Sequence, residues 1–215
     1  MPKFDTILLD LDGTIVDAFV TIHRAYVNTL PKFGRPAPTM AEVRRAVGGG
    51  LEQAMRNFLP EDLIPAAAKE HVDFSTRILL EDVVLFPGTL ELIRQERAAG
   101  ATFAVFTNKR GEHARLICTH LGLTPLLAGV FGAKDTPWFK PQPEFAAHVM
   151  QALGANPART LLIGDSPFDV QAAKAGGFAA CWCVTTGTHT AEQLTEAGAD
   201  AVFPDLFALA GNFTD

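Results

Sequence analysis

A repeating order of apolar run, helix and glycine restricts this chain to few folds. Short apolar runs suited to buried strands occur at residues 6–9, 102–106, 129–131, 160–163, 180–184 and 201–203. Between most of them lie helical patterns that end just before a glycine, at residues 89–99, 112–121, 143–153 and 168–175. Glycine commonly terminates a helix because it adopts a left-handed backbone without strain. The alternation therefore predicts an α/β fold, with a parallel sheet covered by helices.

Residues 16–85 interrupt this alternation, because they contain helical patterns but no convincing strand. The helical patterns lie at residues 20–30, 40–47, 51–58 and 64–80, and prolines and glycines separate them. The segment leaves the predicted sheet after its first strand and returns near the same edge. We therefore expect a helical cap domain, residues 16–85, inserted into an α/β core domain made of residues 1–15 and 86–215. A mobile lid would occupy this position.

Composition excludes several classes of protein. The chain has 215 residues, of which 48% are hydrophobic and 20% charged, so it can bury a sizeable core and is not disordered. Its net charge of -6, without a basic stripe, disfavours nucleic acid as a partner. No apolar run approaches the roughly 18 residues of a membrane span, and the N-terminus has no signal-peptide pattern. We expect a cytoplasmic protein in which Cys118, Cys181 and Cys183 are buried and reduced.

Two carboxylates one residue apart, Asp10 and Asp12, follow the first apolar run directly and precede Gly13 and Thr14. The carboxyl ends of the strands are where open α/β sheets bind their ligands. Taken alone, the segment is also compatible with a turn in which the Asp caps the backbone and Gly13 takes a positive φ. Its meaning therefore depends on what the ends of the other strands carry.

Other polar groups follow two more of the predicted strands. Thr107 and Asn108 follow the second core run, and a hydroxyl with exposed backbone N–H groups suits phosphate oxygens. Asp165 and Asp169 follow the run at 160–163, and Lys140 lies in a proline-rich loop. Separately these residues fit a turn, a helix cap or a solvated charge. Together, oxygen ligands, a hydroxyl and an amine at one sheet edge indicate a hard cation such as Mg²⁺ and phosphoryl transfer.

In order and context, these segments resemble the motifs of a known family, the haloacid dehalogenase-like hydrolases. The matching motifs are Asp10-x-Asp12-Gly13-Thr14, Thr107-Asn108, Lys140-Pro141 and Gly164-Asp165-x3-Asp169. Three segments also resemble the phosphoglycolate phosphatase-like branch of this family: Pro87-Gly88-Thr89, Thr107-Asn108-Lys109 and Ala175-Gly176. The similarity covers essentially the whole chain. It implies a Rossmann-like parallel sheet core flanked by helices, with the insert as a small all-helical cap domain.

The resemblance also implies a role for each acidic residue and for the lysine. Asp10 would be the nucleophile that forms an aspartyl-phosphate. Asp12 would protonate the leaving alkoxide and then activate water. Mg²⁺ would be bound by the Asp10 carboxylate, the Asp12 backbone carbonyl and Asp165. Lys140 would offset negative charge on the nucleophile and the phosphate.

The remaining site residues would bind the phosphate or support the metal ligands. By the same resemblance, the Thr107 hydroxyl and the Asn108 N–H would hold the phosphoryl oxygens, with Gly13 beside them. Asp169 would bind the metal through water or orient Lys140.

The function implied by the resemblance is Mg²⁺-dependent hydrolysis of a small phosphomonoester, with 2-phosphoglycolate as the leading candidate. Asp12 favours phosphate esters, because the true dehalogenases of the superfamily lack this second Asp. A β-phosphoglucomutase-like sugar-phosphate mutase and a nucleotide or pyrophosphate phosphatase remain alternatives. A non-catalytic sensor of a phosphorylated ligand is a further alternative from another class. The expected partner is a small phosphorylated metabolite, with no nucleic acid and no membrane, bound by a monomer or homodimer.

The cap is expected to select the leaving group. The loop Val47-Gly48-Gly49-Gly50 either reaches toward the site or only turns the chain between two helices. Trp138 and Phe139 either form an apolar wall at the mouth of the site or pack their own loop. Six cationic or histidine residues of the cap are candidates to bind a carboxylate or a second phosphate, although solvated positions are expected for most of them: His23, Arg24, Lys32, Arg35, Arg44 and Arg45.

Overall fold

A computed structural model of the chain describes residues 3–213. The strands within this range are β1 (Thr6–Leu9), β2 (Val16–Asp17), β3 (Val84–Leu85), β4 (Thr102–Arg110), β5 (Gly129–Ala133), β6 (Thr160–Gly164), β7 (Ala180–Val184) and β8 (Ala201–Phe203). The α-helices are α1 (Phe19–Thr29), α2 (Met40–Ala46), α3 (Leu51–Met55), α4 (Ile64–Ile78), α5 (Thr89–Ala98), α6 (Gly111–His120), α7 (Pro143–Leu153), α8 (Pro167–Gly176), α9 (Ala191–Ala197) and α10 (Leu206–Ala210).

Six strands of the described chain form a parallel sheet in the order β5–β4–β1–β6–β7–β8. β1 lies in the interior of the sheet, where Leu9 is in register with Val105 of β4 and Ile163 of β6. The residues that follow these three strands therefore meet at one edge. The predicted α/β fold with a parallel sheet flanked by helices is confirmed.

Alternating side chains of the sheet strands enter two apolar layers. Ile7 and Leu9 pack into one layer, whereas Leu8 packs into the other, and all three are fully buried. This alternation follows from the period of two in a β-strand. Helices therefore cover both faces, as continuous apolar strands require.

The cap helices, α1–α4, pack around an apolar cluster of their own. Tyr26 of α1, Val43 of α2, Met55 of α3 and Ile64 of α4 are members of this cluster. α2 starts at a capping box, in which the side chains of Thr39 and Glu42 satisfy backbone N–H groups at the helix start. The cap helices thus have a hydrophobic cluster of their own, and Ile22 of α1 packs against both this cluster and one of the clusters beside the sheet.

Several local predictions were wrong in extent. β4 continues to Arg110 instead of ending at residue 106, because its pairing with β5 continues past the apolar run through an irregularity in the register. Thr107 and Asn108 therefore lie within the strand. β2 and β3 pair antiparallel inside the segment where no strand was expected, and two residues each are too few to show alternation. Among the described residues, no helix has the length and apolarity needed to cross a bilayer.

The predicted burial of the cysteines is confirmed. Cys118, Cys181 and Cys183 are all buried and free. The Sγ atoms of Cys181 and Cys183 lie 3.9 Å apart on one face of β7. Burial raises the pKa of the Cys118 thiol to about 12, so this side chain is an un-ionised core residue at neutral pH.

Candidate active site

The carboxyl ends of β1 and β6 place two acidic residues side by side. The Asp10 N–H donates to the carbonyl oxygen of Ile163 at 2.9 Å, which continues the pairing of β1 with β6 past the end of β1. Gly13 has φ +90°, and a Cβ there would lie 2.7 Å from an Asp165 carboxylate oxygen. Only glycine provides both this backbone and this close approach. The Asp-Gly turn after β1 therefore packs directly against Asp165.

Lys140 connects two of the acidic residues in a fully buried ion pair. Its Nζ donates to Asp10 Oδ1 at 2.8 Å and to Asp169 Oδ1 at 2.6 Å, and the side chain is 1% exposed. Burial alone would lower the pKa of Lys140, but the charges of Asp10 and Asp169 outweigh it and raise that pKa. Lys140 is therefore a cation at neutral pH.

The Asn108 side chain fixes the loop that carries Lys140. Its Oδ1 accepts from the Lys140 N–H at 2.8 Å, and its Nδ2 donates to the Lys140 carbonyl oxygen at 3.0 Å. The same Nδ2 donates to the carbonyl oxygen of Gly48, also at 3.0 Å. One amide thus joins β4, the Lys140 loop and the glycine loop of the cap.

The Asp10 carboxylate is hard to ionise in its surroundings. Burial raises the pKa of Asp10 to about 6, although the Lys140 charge lowers it and the Asp169 charge raises it further. Burial, together with the charges of Asp10 and Asp169, also raises the pKa of Asp165 well above its usual range. Ionisation of both carboxylates would therefore give the site more negative charge than Lys140 alone neutralises.

A loop after β7 holds Asp165 in place. The N–H and Oγ of Thr188 donate to Asp165 Oδ2 at 2.8 and 2.9 Å, and Thr14 Oγ donates to Oδ1 at 3.3 Å. Gly187 has no space for a Cβ, which would overlap the Asp165 carboxylate. Sequence reasoning missed Thr188 and Gly187, although they follow a strand whose carboxyl end was predicted to lie at the same edge.

Three buried carboxylates could hold a cation. Oxygen atoms of Asp10, Asp165 and Asp169 lie within 4.8 Å of one another. Asp169 Oδ2 accepts hydrogen bonds from the N–H and the Oγ of Ser166 at 3.1 and 2.6 Å. Its other oxygen, Oδ1, accepts from Lys140, so partners hold both carboxylate oxygens. Three carboxylates against one ammonium group, with only oxygen donors, fit a hard divalent cation such as Mg²⁺. The structure thus groups Asp169 with Asp10 and Asp165, whereas the Asp12 side chain lies elsewhere.

Asp12 forms an ion pair with Lys109 of β4. Lys109 Nζ donates to both carboxylate oxygens of Asp12, at 3.0 and 2.8 Å, and both side chains are largely buried. The sequence motif Thr107-Asn108-Lys109 resembles the phosphoglycolate phosphatase-like branch, but it did not predict the contact between Lys109 and Asp12. A substrate group that contacts the Asp12 carboxylate therefore also lies close to the Lys109 ammonium group.

A cavity of about 980 Å³ lies between the sheet edge and the cap helices. Asp10, Asp12, Thr107, Asn108 and Lys140 line one part of it, and the loop at residues 48–50 lines another. The glycine loop therefore reaches the site, as one of its two interpretations predicts.

The two residues predicted at the mouth of the site line the cavity, whereas the cationic and histidine candidates of the cap do not. Trp138 and Phe139 also line the cavity, with Phe139 41% exposed, so they form an apolar wall. Among the described residues that line the cavity, none of the six cationic or histidine candidates of the cap is present. Arg24 and Lys32, for example, pair with acidic residues at the surface.

Comparison with known proteins assigns this arrangement to a family. The sequence profile of the haloacid dehalogenase-like hydrolases matches residues 7–183. The chain belongs to the haloacid dehalogenase-like hydrolases. It is 30% identical over 214 residues to the phosphoglycolate phosphatase of Pseudomonas syringae pv. tomato, covering 96% of this chain and 78% of that protein. It is 32% identical over 208 residues to the probable phosphatase IndB of Dickeya dadantii, covering 94% and 90%.

Solved structures of other proteins share the fold of this chain. The predicted phosphoglycolate phosphatase from Haemophilus somnus superimposes with a TM-score of 0.88 at 24% identity, covering 99% of each chain. CbbY from Rhodobacter sphaeroides, solved in complex with phosphate, gives a TM-score of 0.78 at 21% identity and 96% coverage of each chain. The sequence relatives confirm the phosphoglycolate phosphatase-like branch, and the chain is an enzyme of the phosphatase type.

Proposed function

We propose that this enzyme is a Mg²⁺-dependent phosphatase that hydrolyses a small phosphomonoester through an aspartyl-phosphate at Asp10. The observation that carries the proposal is the buried contact between Asp10 and Lys140, 2.8 Å long, in the wall of the large cavity. A carboxylate with a pKa of about 6 is largely ionised at neutral pH and is then a competent nucleophile. Lys140 lies where it would offset the charge of an incoming phosphoryl group.

Asp12 would act as the general acid and base. It is two residues from Asp10 in the chain, and its side chain lines the same cavity. It would protonate the leaving oxygen and then take a proton from the attacking water. The Lys109 contact at 2.8 Å would hold the Asp12 carboxylate in position between these two steps.

Thr107 and Asn108 would bind the phosphoryl oxygens, with Gly13 beside them. Both residues are buried in the carboxyl-terminal half of β4, the strand next to β1, and line the cavity. The Asn108 side chain is already bound to the Lys140 loop, so its backbone N–H would be the donor. This arrangement leaves the hydroxyl of Thr107 as the second donor.

Asp10, Asp165 and the Asp12 backbone carbonyl would hold Mg²⁺, with Asp169 orienting Lys140. Bound Mg²⁺ would neutralise the repulsion between the nucleophile and the phosphate. The grouping of three buried carboxylates around a single ammonium group supports this assignment.

We further propose that residues 16–85 act as a cap domain on a core of residues 1–15 and 86–215. The leading substrate is 2-phosphoglycolate, because the similar Pseudomonas proteins carry that name. A cytoplasmic location and a monomeric or homodimeric state stay predictions from the sequence.

The test is phosphate release from a panel of esters with and without Mg²⁺. The panel contains 2-phosphoglycolate, sugar phosphates, nucleotides and pyrophosphate, and the variants are Asp10→Asn and Asp12→Asn. Asp5→Asn is the matched control, because Asp5 precedes the amino end of the same strand and pairs with Arg159 at the surface. We expect Mg²⁺-dependent release by the wild type and Asp5→Asn, and none by Asp10→Asn. Release from no ester by the folded wild type would refute the proposal.

A further inference from the structure

The cap wall of the cavity contains buried polar atoms that the proposed chemistry does not use. Thr21 of α1 and His71 of α4 line the cavity and are 4% and 7% exposed. Thr21 Oγ1 and His71 Nδ1 have no hydrogen-bond partner among the described residues. Buried polar groups are nearly always hydrogen-bonded, because an unpaired one loses its interaction with water. Two such groups in one cavity wall indicate that a polar ligand group completes them.

The two histidines near this wall are uncharged. Burial, with the positive charge of Lys109 and that of His113 when protonated, lowers the pKa of His71 to about 3. Burial and the charges of Lys109 and Arg110 lower the pKa of His113 to about 4. Thr76 of α4 forms a hydrogen bond of 2.8 Å with His113 Nε2, so that second histidine already has a polar contact. The cap wall therefore presents neutral hydrogen-bonding groups at neutral pH.

The charged residues that line the cavity are mostly engaged with one another. Three ion pairs involve residues of its wall: Arg56 with Glu61, Lys69 with Asp73, and Lys134 with Glu52. Arg110 differs, because it lines the cavity from the core side with its Nε buried and unpartnered. A carboxylate would be drawn to Arg110 or Lys109, and neutral hydroxyl groups suit the cap wall better.

The size and shape of the cavity agree with a longer leaving group. Its volume of about 980 Å³ is near the upper end of ordinary small-molecule sites. Beside His71, the Tyr26 ring lies 4.6 Å away between centroids and also lines the cavity. An aromatic ring next to polar groups suits an alcohol with both C–H and O–H surfaces. A phosphorylated two-carbon acid would fill only part of this space.

We propose that Thr21, Tyr26 and His71 form a leaving-group subsite that binds an uncharged, hydroxyl-bearing part of the phosphomonoester. A hydroxyl both donates and accepts, so it pairs with the Thr21 hydroxyl and with either tautomer of a neutral imidazole. This inference rests on the proposed phosphatase function and adds polyol or sugar phosphates to 2-phosphoglycolate as substrates of the same site. The three residues determine specificity and take no part in phosphoryl transfer.

The test compares two esters on matched variants. Ribose 5-phosphate carries a hydroxyl-rich leaving group, and 2-phosphoglycolate carries a carboxylate. Thr21→Val keeps the side-chain shape, His71→Leu removes the imidazole, and His71→Gln restores a neutral hydrogen-bonding group. Thr29→Val is the control, because Thr29 is on the same helix with an equally unpartnered, buried hydroxyl but does not line the cavity.

We expect Thr21→Val and His71→Leu each to raise KM for ribose 5-phosphate about tenfold, the effect of one lost hydrogen bond. Their kcat values, and both constants for 2-phosphoglycolate, stay within twofold of the wild type, as do all constants of Thr29→Val. His71→Gln recovers most of the lost affinity. Equal losses with both esters, or equal losses in Thr29→Val, would overturn the subsite. So would efficient hydrolysis of 2-phosphoglycolate without hydrolysis of ribose 5-phosphate, whereas inactivity toward every ester would instead refute the phosphatase function.

Discussion

Lys140 is a buried ammonium group between two buried carboxylates, 2.8 Å from Asp10 and 2.6 Å from Asp169. Lys140→Met would leave both carboxylates without their cation. Removing one partner of a buried ion pair costs about 3–5 kcal/mol, so we expect a loss of that order in urea unfolding at pH 8. The loss shrinks as the pH falls toward the raised pKa of Asp10, because protonation of that carboxylate relieves the unpaired charge.

Lys69→Met is the control for this variant. Lys69 pairs with Asp73 at the surface, and both side chains are more than half exposed. Such a pair contributes about 0–1 kcal/mol. Equal destabilisation by Lys140→Met and Lys69→Met would show that the buried triad does not stabilise the fold.

The ionisation of Asp10 sets a second prediction for a single residue. Only the carboxylate form attacks phosphorus, and burial raises the pKa of Asp10 to about 6 in the metal-free protein. We expect kcat/KM at limiting Mg²⁺ to fall about tenfold for each pH unit below that midpoint. Mg²⁺ favours the ionised form, so saturating Mg²⁺ moves the acidic midpoint to lower pH. An acidic limb whose midpoint does not move with Mg²⁺ would contradict the role of Asp10 as a metal ligand.

At the scale of strands and helices, the sequence correctly predicted the elements that local residue patterns determine, but not those that depend on pairing between distant segments. The predicted bounds of β1, β7, β8 and α7 agree with the structure, because each is a short apolar or helical pattern between clear breaks. The end of β4 was wrong, since its last residues are strand only through pairing with β5. β2 and β3 were missed for a similar reason, because their pairing joins segments on opposite sides of the cap helices.

The loop after β7 provides a prediction at this scale. In Gly187→Ala, the added Cβ would overlap the Asp165 carboxylate, so either the loop or Asp165 moves. We expect the Mg²⁺ concentration for half-maximal phosphate release to rise about tenfold or more, because a displaced oxygen ligand weakens the metal site. The stabilisation of the protein by Mg²⁺ in thermal unfolding should fall in parallel.

Gly211→Ala is the matched control, because a Cβ at Gly211 meets no atom within 4 Å. Gly211 lies far along the chain, after α10, in a short 3-10 turn. A normal Mg²⁺ requirement in Gly187→Ala would contradict the role of the Gly187 loop in positioning Asp165 for the metal.

At the scale of the whole molecule, the candidate site was predictable where the topology alone determines it. Parallel strands bring their carboxyl ends together, so the proximity of Asp10 and Asp165 follows from the strand order. The Asp12–Lys109 pair and the Thr188–Asp165 contacts depend on side-chain directions that a sequence pattern does not encode. The polar cap wall depends further on how the cap helices dock, so no local pattern predicts it.

The cap helices contact the core around the cavity through a few polar interactions. Lys134 pairs with Glu52 of α3 at 2.9 Å, both exposed, and Thr76 of α4 forms its 2.8 Å hydrogen bond with His113 of α6. Each such contact contributes about 1 kcal/mol or less, so we expect these two contacts to break when the cap helices move for substrate to enter.

We therefore expect Glu52→Gln and Thr76→Val to raise KM about two- to fivefold while changing kcat and the free energy of unfolding little. The contacts lie on different cap helices, so the two effects should multiply in the double variant. Glu61→Gln is the control, because it breaks an equally exposed ion pair with Arg56 that lies wholly within the cap. If Glu61→Gln raised KM as much as Glu52→Gln, the effect would come from altered surface charge and not from cap closure. If Thr76→Val lowered the free energy of unfolding without changing KM, the hydrogen bond of Thr76 with His113 would stabilise the fold and play no part in cap closure.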